Sequence, residues 1–399
     1  MSIDRNWKMA LALAFGVAPG VGYAKLELVP YVAVEAQHDD NVFRDRDADE
    51  AEAVRGDRQR ADTLLRYEGG VNSLYSVGLQ TFNLNAAVNK VEYDRFSELD
   101  YKGHNIDGGM KWQIGSLVKG DLKLSDRREL QDFNDTNGSD ERSLRDDTEG
   151  SLSINIKVLS DFELRPRGGA RRTRYSRGNS RQQDLDEENY GLGISYVGRG
   201  TMAIGVEGVI REGEFIRRDP APGQVEEYEE TTIQLVGRWS PGEATSLDYA
   251  IGSSRRDNEG VDVKNDSTVV GMLNVSRVIS VKTNVYAGLY RAISSADREG
   301  ESSTIGTGVN AGGTWKPTQL ISINAYSFYQ REDFQNSTLI NADREDKLKG
   351  IHLSAVYSPR EWVNVTPSVG WEDRKSELAS EEYESFIAGL QLKLLFPIR

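Results

Sequence analysis

Six charged residues crowd together between positions 163 and 174: Glu163, Arg165, Arg167, Arg171, Arg172 and Arg174. In an extended segment side chains alternate between two faces, so Glu163, Arg165, Arg167 and Arg171 share one of them, while Arg172 and Arg174 lie near one end. A guanidinium offers a rigid fork of donors that matches a carboxylate or a phosphate, and a row of such forks could hold an anionic solute or polymer. The same arginines could instead pair with acids on neighbouring segments, Glu207 and Asp121 among them, and stiffen a wall. Lys111, Lys123, Glu207, Arg211, Asn324 and Tyr326 fall on the polar face of similar alternating segments and are further candidates for contact with a passing substrate.

Catalytic chemistry finds little support. The histidines His38, His104 and His352 are far apart in sequence, and GxSxG, HExxH and phosphate-loop motifs are absent, so the chain is not expected to be an enzyme. Acids gather at Asp39, Asp40, Asp45, Asp47, Asp49, Glu50 and Glu52. Oxygen-rich loops can hold calcium, but the twelve-residue calcium-loop spacing is missing and a solvated loop accounts for the acids; no metal and no cofactor are expected. A formal charge of −14 argues against nucleic acid as a partner.

The elements that must position these side chains are strands. From residue 28 onward, apolar residues alternate with small or polar ones, and convincing capped helices are not apparent. Phe386, Ala388, Leu390, Leu392, Leu394 and Phe396 form one greasy face against Gly389, Gln391 and Lys393; Val363, Val365, Val369 and Trp371 behave likewise, as do Leu152, Ile154 and Ile156. Such runs occupy about eighteen windows, near 28–38, 63–75, 78–94, 101–114, 117–129, 144–157, 161–175, 187–197, 201–215, 228–240, 245–256, 266–277, 280–293, 302–315, 319–332, 346–358, 362–375 and 382–396. Their connections alternate. Tight joins near Ser76, Gly115, Ser160, Gly198, Pro241, Val278, Pro317 and Pro359 take turns with longer polar loops such as 39–61, 129–143, 176–187, 216–227 and 333–345. Short periplasmic turns and long extracellular loops are the asymmetry of a transmembrane antiparallel β-barrel. Tyr75, Trp112, Tyr196, Trp239, Trp315, Tyr357 and Phe396 recur at the lower ends of descending strands, where an aromatic with a polar tip suits a membrane interface.

A β-propeller or a solenoid would also use many short strands, but no fixed repeat is present, and the polar face carries charges that a dry core would not tolerate. Asp107, Lys119, Asp121, Arg238, Asp248, Glu372 and Lys393 add to the inward set, so water is expected inside, and a barrel of sixteen to eighteen strands is wide enough for it. Asn83, Asn85, Asn105, Gln234, Asn284 and Tyr286 supply neutral lumen contacts. Arg5 and Lys8 before an apolar run from Met9 to Val21, then Gly22, Tyr23 and Ala24, read as a secretory signal over 1–24, with 25–399 as an outer-membrane barrel. Removing Asp4, Arg5 and Lys8 takes a net +1 from −14 and leaves −15. The chain has no cysteine, which suits an exported protein. Gly389, Leu392, Leu394 and Phe396 resemble the closing strand that barrel-insertion machinery reads, with Pro397, Ile398 and Arg399 expected to fray beyond it.

The first strand runs into Asp39, Asp40, Asn41, Val42, Phe43 and Arg44. This segment resembles the start of the EpsL-like β-barrel family, whose members accompany exopolysaccharide synthesis and export. The resemblance implies passage of a polysaccharide through the outer membrane with a periplasmic export protein as partner, amid membrane lipid and lipopolysaccharide. Two alternatives stand beside it: a diffusion porin for small solutes, with an inward-folded constriction loop, and a structural or adhesive barrel. Loops one, three and eight are long enough to fold inward, and a monomer is expected.

Overall fold

The computed structural model describes residues 24–133, 142–177, 179–198, 201–222, 224–295, 303–335 and 344–398. The expected signal segment therefore lies outside the described residues except for Ala24, where the first strand begins. Eighteen strands follow: β1 (Ala24–Asp39), β2 (Asp62–Val77), β3 (Gln80–Tyr93), β4 (Tyr101–Ile114), β5 (Val118–Leu130), β6 (Leu144–Leu159), β7 (Phe162–Tyr175), β8 (Leu185–Val197), β9 (Met202–Phe215), β10 (Val225–Gly242), β11 (Thr245–Gly260), β12 (Asp266–Ser280), β13 (Thr283–Ser295), β14 (Ser303–Trp315), β15 (Ile321–Gln335), β16 (Arg344–Arg360), β17 (Val363–Ser376) and β18 (Tyr383–Leu395). Each pairs antiparallel with its predecessor, and β18 pairs with β1 from Tyr31–Leu395 to Asp39–Ile387. The sheet is a closed barrel with no free edge, which is how a β-structure satisfies its backbone in lipid.

Every expected window holds a strand, and the alternation of turns and loops is as read. The turns themselves sit a few residues later than expected in places: β12 continues past Val278 to Ser280, and β10 runs through Pro241 to Gly242. Pro241 falls in the irregular stretch between the Trp239–Leu247 and Gly242–Thr245 pairs, where no ladder donor is needed.

The pleat sorts the side chains. Val206, Ile233, Ile251 and Val269 are each more than half exposed, an arrangement that only an apolar surround stabilises. Trp239, Trp315 and Tyr357 are also outward and about half exposed near the lower ends, while Tyr75 meets Phe82 and Phe162 meets Tyr196 with centroids 6.0 and 5.5 Å apart. Tyr67, Tyr190 and Tyr329 form a higher tier of exposed aromatics. From Tyr67 to Tyr75 is about 27 Å of strand, or about 20 Å of height at a barrel's usual tilt, close to the apolar band of an outer membrane. Above the higher tier the outward face turns acidic. Asp186, Glu214 and Glu227 lie opposite one another across β8, β9 and β10, as do Glu188, Glu212 and Glu229.

Two expectations need correction. Loop one contains a helix, α1 (Ala48–Arg55), that periodicity alone did not suggest. It is too short for a 3.6-residue pattern, yet its caps are complete. The Asp47 side chain accepts from the backbone N–H of Asp49 and Glu50, Arg55 closes the last turn, and Gly56 takes the left-handed conformation at φ 74°. Secondly, Pro397 and Ile398 do not fray: the backbone N–H of Phe396 donates to Pro30 at 2.8 Å and that of Ile398 to Leu28 at 2.8 Å, extending the seam with β1.

Candidate functional site in the lumen

The inward face from β5 to β13 encloses a cavity of about 880 Å³. Its wall carries the cations Lys119, Arg165, Arg167, Arg211, Arg238 and Arg291 and the carboxylates Glu163, Glu207, Glu230 and Asp248. Register explains the gathering. Asn189 pairs with Arg211, Gly193 with Glu207, and Glu207 with Gln234, so side chains from separate strands meet on one face.

The arginine row is largely a row of ion pairs. Arg167 lies 2.9 Å from Glu207, Arg165 3.8 Å from Glu163, and Arg171 3.1 Å from Asp147. Arg211 sits 3.5 Å from Glu187 and 3.7 Å from Glu230, and Arg238 donates to Asp248. Glu207 also accepts from Gln234 at 3.0 Å. The pairing with Glu207 is as the stiffened-wall reading expects; among the described residues no ion pair to Asp121 accompanies it. The pairs of Arg165, Arg167, Arg171 and Arg238 face water and are partly exposed, so each is worth about 1 kcal/mol or less and leaves the guanidinium exchangeable, whereas Glu230 is buried.

Other expected site residues are inward but elsewhere. Lys111 faces Asp121 and Lys123 faces Gly109 across β4 and β5, on the wall adjoining the cavity. Asn324 accepts from Thr314 at 2.9 Å, and Tyr326 stacks on Phe328 at 5.8 Å; both belong to β15, away from the cavity. Arg171 stands above it, beside Asp147 and Thr173. Glu230, Tyr290 and Arg291 were not singled out by the sequence: Glu230 lies among polar residues, and Arg291 shares its parity with the apolar Leu289 and Ile293.

At the extracellular rim, ionic side chains are buried. Arg256 donates to Glu230 at 2.7 Å beneath the Ser254 hydroxyl, and Asp346 receives both Arg344 and Arg374, with Asp346 and Arg344 each about 1% exposed. Loop two, loop three and loop one share a small apolar core, where Phe43 meets Phe96 at 4.8 Å and Phe133 at 4.7 Å. The segment Asp39–Arg44 builds this junction. Asp39 accepts from the Asn41 backbone and from Ser385, Asp40 accepts from the Phe386 backbone, and Asn41 donates to the carbonyls of Asp45 and Glu384. Arg44, with φ 62°, reaches back to Asp39 at 2.9 Å. Asp39, Asp40, Asn41 and Arg44 fold the end of β1 onto β18, Val42 and Phe43 enter the apolar core of the loops, and none of the six lines the cavity.

The acids of loop one have structural partners too. Asp45 pairs with Arg55 at 2.6 Å, Arg58 pairs with Asp49 and Glu52, and the Asp47 carboxyl is held below its usual range by the Glu50 backbone N–H and Arg46. In the next loop but two, burial pushes the Asp184 carboxyl up despite the Tyr175 backbone N–H and Arg217. Among the described residues no group of acids or histidines is arranged to hold a metal ion. Of the loops expected to fold inward, residues 134–141 of the third and 336–343 of the eighth lie outside the described residues.

No protein-family model matches the sequence, and no curated protein matches it. Solved structures do resemble the fold. The barrel is similar to OccK2 (OpdF) of Pseudomonas aeruginosa, with a TM-score of 0.50 and 10% identity over 93% of this chain and 98% of that one. OpdK of Pseudomonas aeruginosa, crystallised with vanillate, gives 0.48 and 10% over 92% and 99%, and OccAB3 of Acinetobacter baumannii gives 0.48 and 9% over 94% and 100%. At such identities the likeness is one of architecture.

Proposed function

We propose that the protein is an outer-membrane diffusion channel for small polar solutes, with a preference for anions. The observation that carries this reading is the cavity wall, where six cations face four carboxylates inside a chain whose overall charge is −14. Focusing positive potential in a hydrated passage raises the local concentration of anions and their rate of entry. Partly exposed ion pairs suit diffusion, because each guanidinium can exchange its carboxylate for a passing one without holding it.

Polysaccharide passage is the second reading and rests on the resemblance of Asp39–Arg44. That segment is occupied in tying β1 to β18, so it lends the polymer no contact, and small solutes are better supported.

The test is the reversal potential of the refolded chain in a planar bilayer under a salt gradient. Anion selectivity is expected, and Arg165→Glu with Arg167→Glu should move the reversal potential toward cation selectivity. Absence of conductance would refute the diffusion reading. Stable conductance blocked transiently by long exopolysaccharide fragments, and not by small carboxylates, would favour the polymer.

A further inference from the structure

The ladders of the barrel are not equally complete. Between β11 and β12 pairing continues up to Arg256–Asp266, and between β13 and β14 up to Ser295–Ser303. Between β12 and β13 it stops at Gly271–Arg291. Above that pair the two strands run on unpaired for about 15 Å at the usual rise per residue. The break begins one step above the row of Leu273, Leu289, Val309 and Tyr329, at the level of the higher aromatic tier.

Side chains replace the missing ladder. Arg291 donates to the Thr268 hydroxyl at 3.2 Å across the break and to the Thr307 hydroxyl at 2.6 Å on its other side. Near the top, Ser303 donates to Asp266 at 2.6 Å. Among the described residues Arg291 has these hydroxyls and no carboxylate as partners, unlike the paired arginines of β7.

The break has a wet side and an oily side. Inwardly, Val270, Met272, Ala292 and Ile293 bound the break and also line the charged cavity. Outwardly, a separate groove of about 460 Å³ runs below it over Leu273, Val275, Leu289, Val309 and Tyr329. Arg291, without a counter-charge among the described residues, thus stands between an apolar groove on the lipid side and a hydrated lumen. The ligand that satisfies both has an anionic head and a long apolar chain.

We propose that the parted wall between β12 and β13 is a lateral site for a free long-chain carboxylate, its head on Arg291 and its chain along the Leu273–Tyr329 groove. Binding there needs only the two threonine bonds of Arg291 to exchange, since no backbone pair has to break. The proposal does not depend on conduction along the barrel axis. Charge complementarity selects the free acid over the uncharged acyl chains of bulk lipid.

The experiment uses the full chain in phosphatidylcholine bilayers with two photoreactive probes, a diazirine-bearing palmitate and the corresponding hexadecanol. Palmitate should label Leu273, Leu289 and Val309 of the groove more heavily than hexadecanol does, and Arg291→Gln should cut palmitate labelling about tenfold, the loss of one charge-assisted contact, while leaving hexadecanol labelling in place. Because the chain lacks cysteine, Val270→Cys with Ala292→Cys can be bridged by a bifunctional thiol reagent, and bridging should give the same loss for palmitate. This second variant keeps the test valid if Arg291→Gln assembles poorly. Equal labelling by both probes, or palmitate labelling unchanged by either variant, would overturn the site. Conductance of the parent chain is recorded in parallel, so a failed diffusion reading and a failed lateral site give different results.

Discussion

The residue that most concentrates electrostatic work at the rim is Asp346. It is about 1% exposed and receives two guanidinium groups from Arg344 and Arg374, with the Ser376 hydroxyl completing its shell. Removing one partner of a buried ionic group leaves the others uncompensated, so Asp346→Asn should destabilise the barrel by about 3–5 kcal/mol, read as a lower urea midpoint after reconstitution. An unchanged midpoint would mean that water reaches this cluster. The sequence placed Arg344 in the eighth loop and Asp346 at the start of a strand, and alternation, which assigns a face, cannot distinguish a solvated lumen charge from one sealed under loops. The same limit applied to Asp39–Arg44. Its distinctive spelling suggested a functional motif, and its packing against Ser385, Glu384 and Phe386 makes it a fastening.

At the scale of the element, the wall is fitted by pairing large rings with glycine. Trp112 lies directly opposite Gly120, Tyr286 opposite Gly312 and Tyr290 opposite Gly308, so that a Cβ on the glycine would run into the ring. Rings laid over cross-strand glycines cover backbone that would otherwise face lipid or water, and they pin the register. Gly120→Val should force Trp112 off its position at a cost of about 1–3 kcal/mol, visible as a lower temperature for the shift from folded to unfolded migration on a gel. A neutral outcome would show that the ring turns aside freely. Strand existence and direction were legible throughout because a buried-or-exposed alternation of period two survives in every window. The α1 helix was not, since eight residues give too few turns for a period, and only its capping residues Asp47, Glu50 and Gly56 carried the signal.

For the whole molecule, closure depends on the seam between β1 and β18, where pairing covers Tyr31–Leu395 to Asp39–Ile387. The backbone bonds of Phe396 to Pro30 and Ile398 to Leu28 lengthen that seam below. Truncation after Phe396 should therefore retain a barrel but lower its heat-modification temperature, whereas a chain tail with no structural part would leave it unchanged. Closure also decides where charge goes. Lys119, Arg165, Arg211 and Arg238 belong to different strands, and only the closed register turns them toward one cavity. The outer rows of Asp186, Glu214, Glu227 and of Glu188, Glu212, Glu229 place like charges side by side, which costs stability in a sheet and indicates that these rows face a strongly solvating surround.

The sequence by itself determined the class of fold, the strand windows, the alternation of short turns with long loops and the face on which each charge lies. These follow from local periodicity, which needs no knowledge of distant residues. Tertiary structure alone decided which arginines are paired, which are buried at the rim, and where the wall parts between β12 and β13. Each of these depends on the register between strands and on loops meeting across the mouth, so the physical cause is a contact between residues remote in sequence, which alternation along one strand cannot encode.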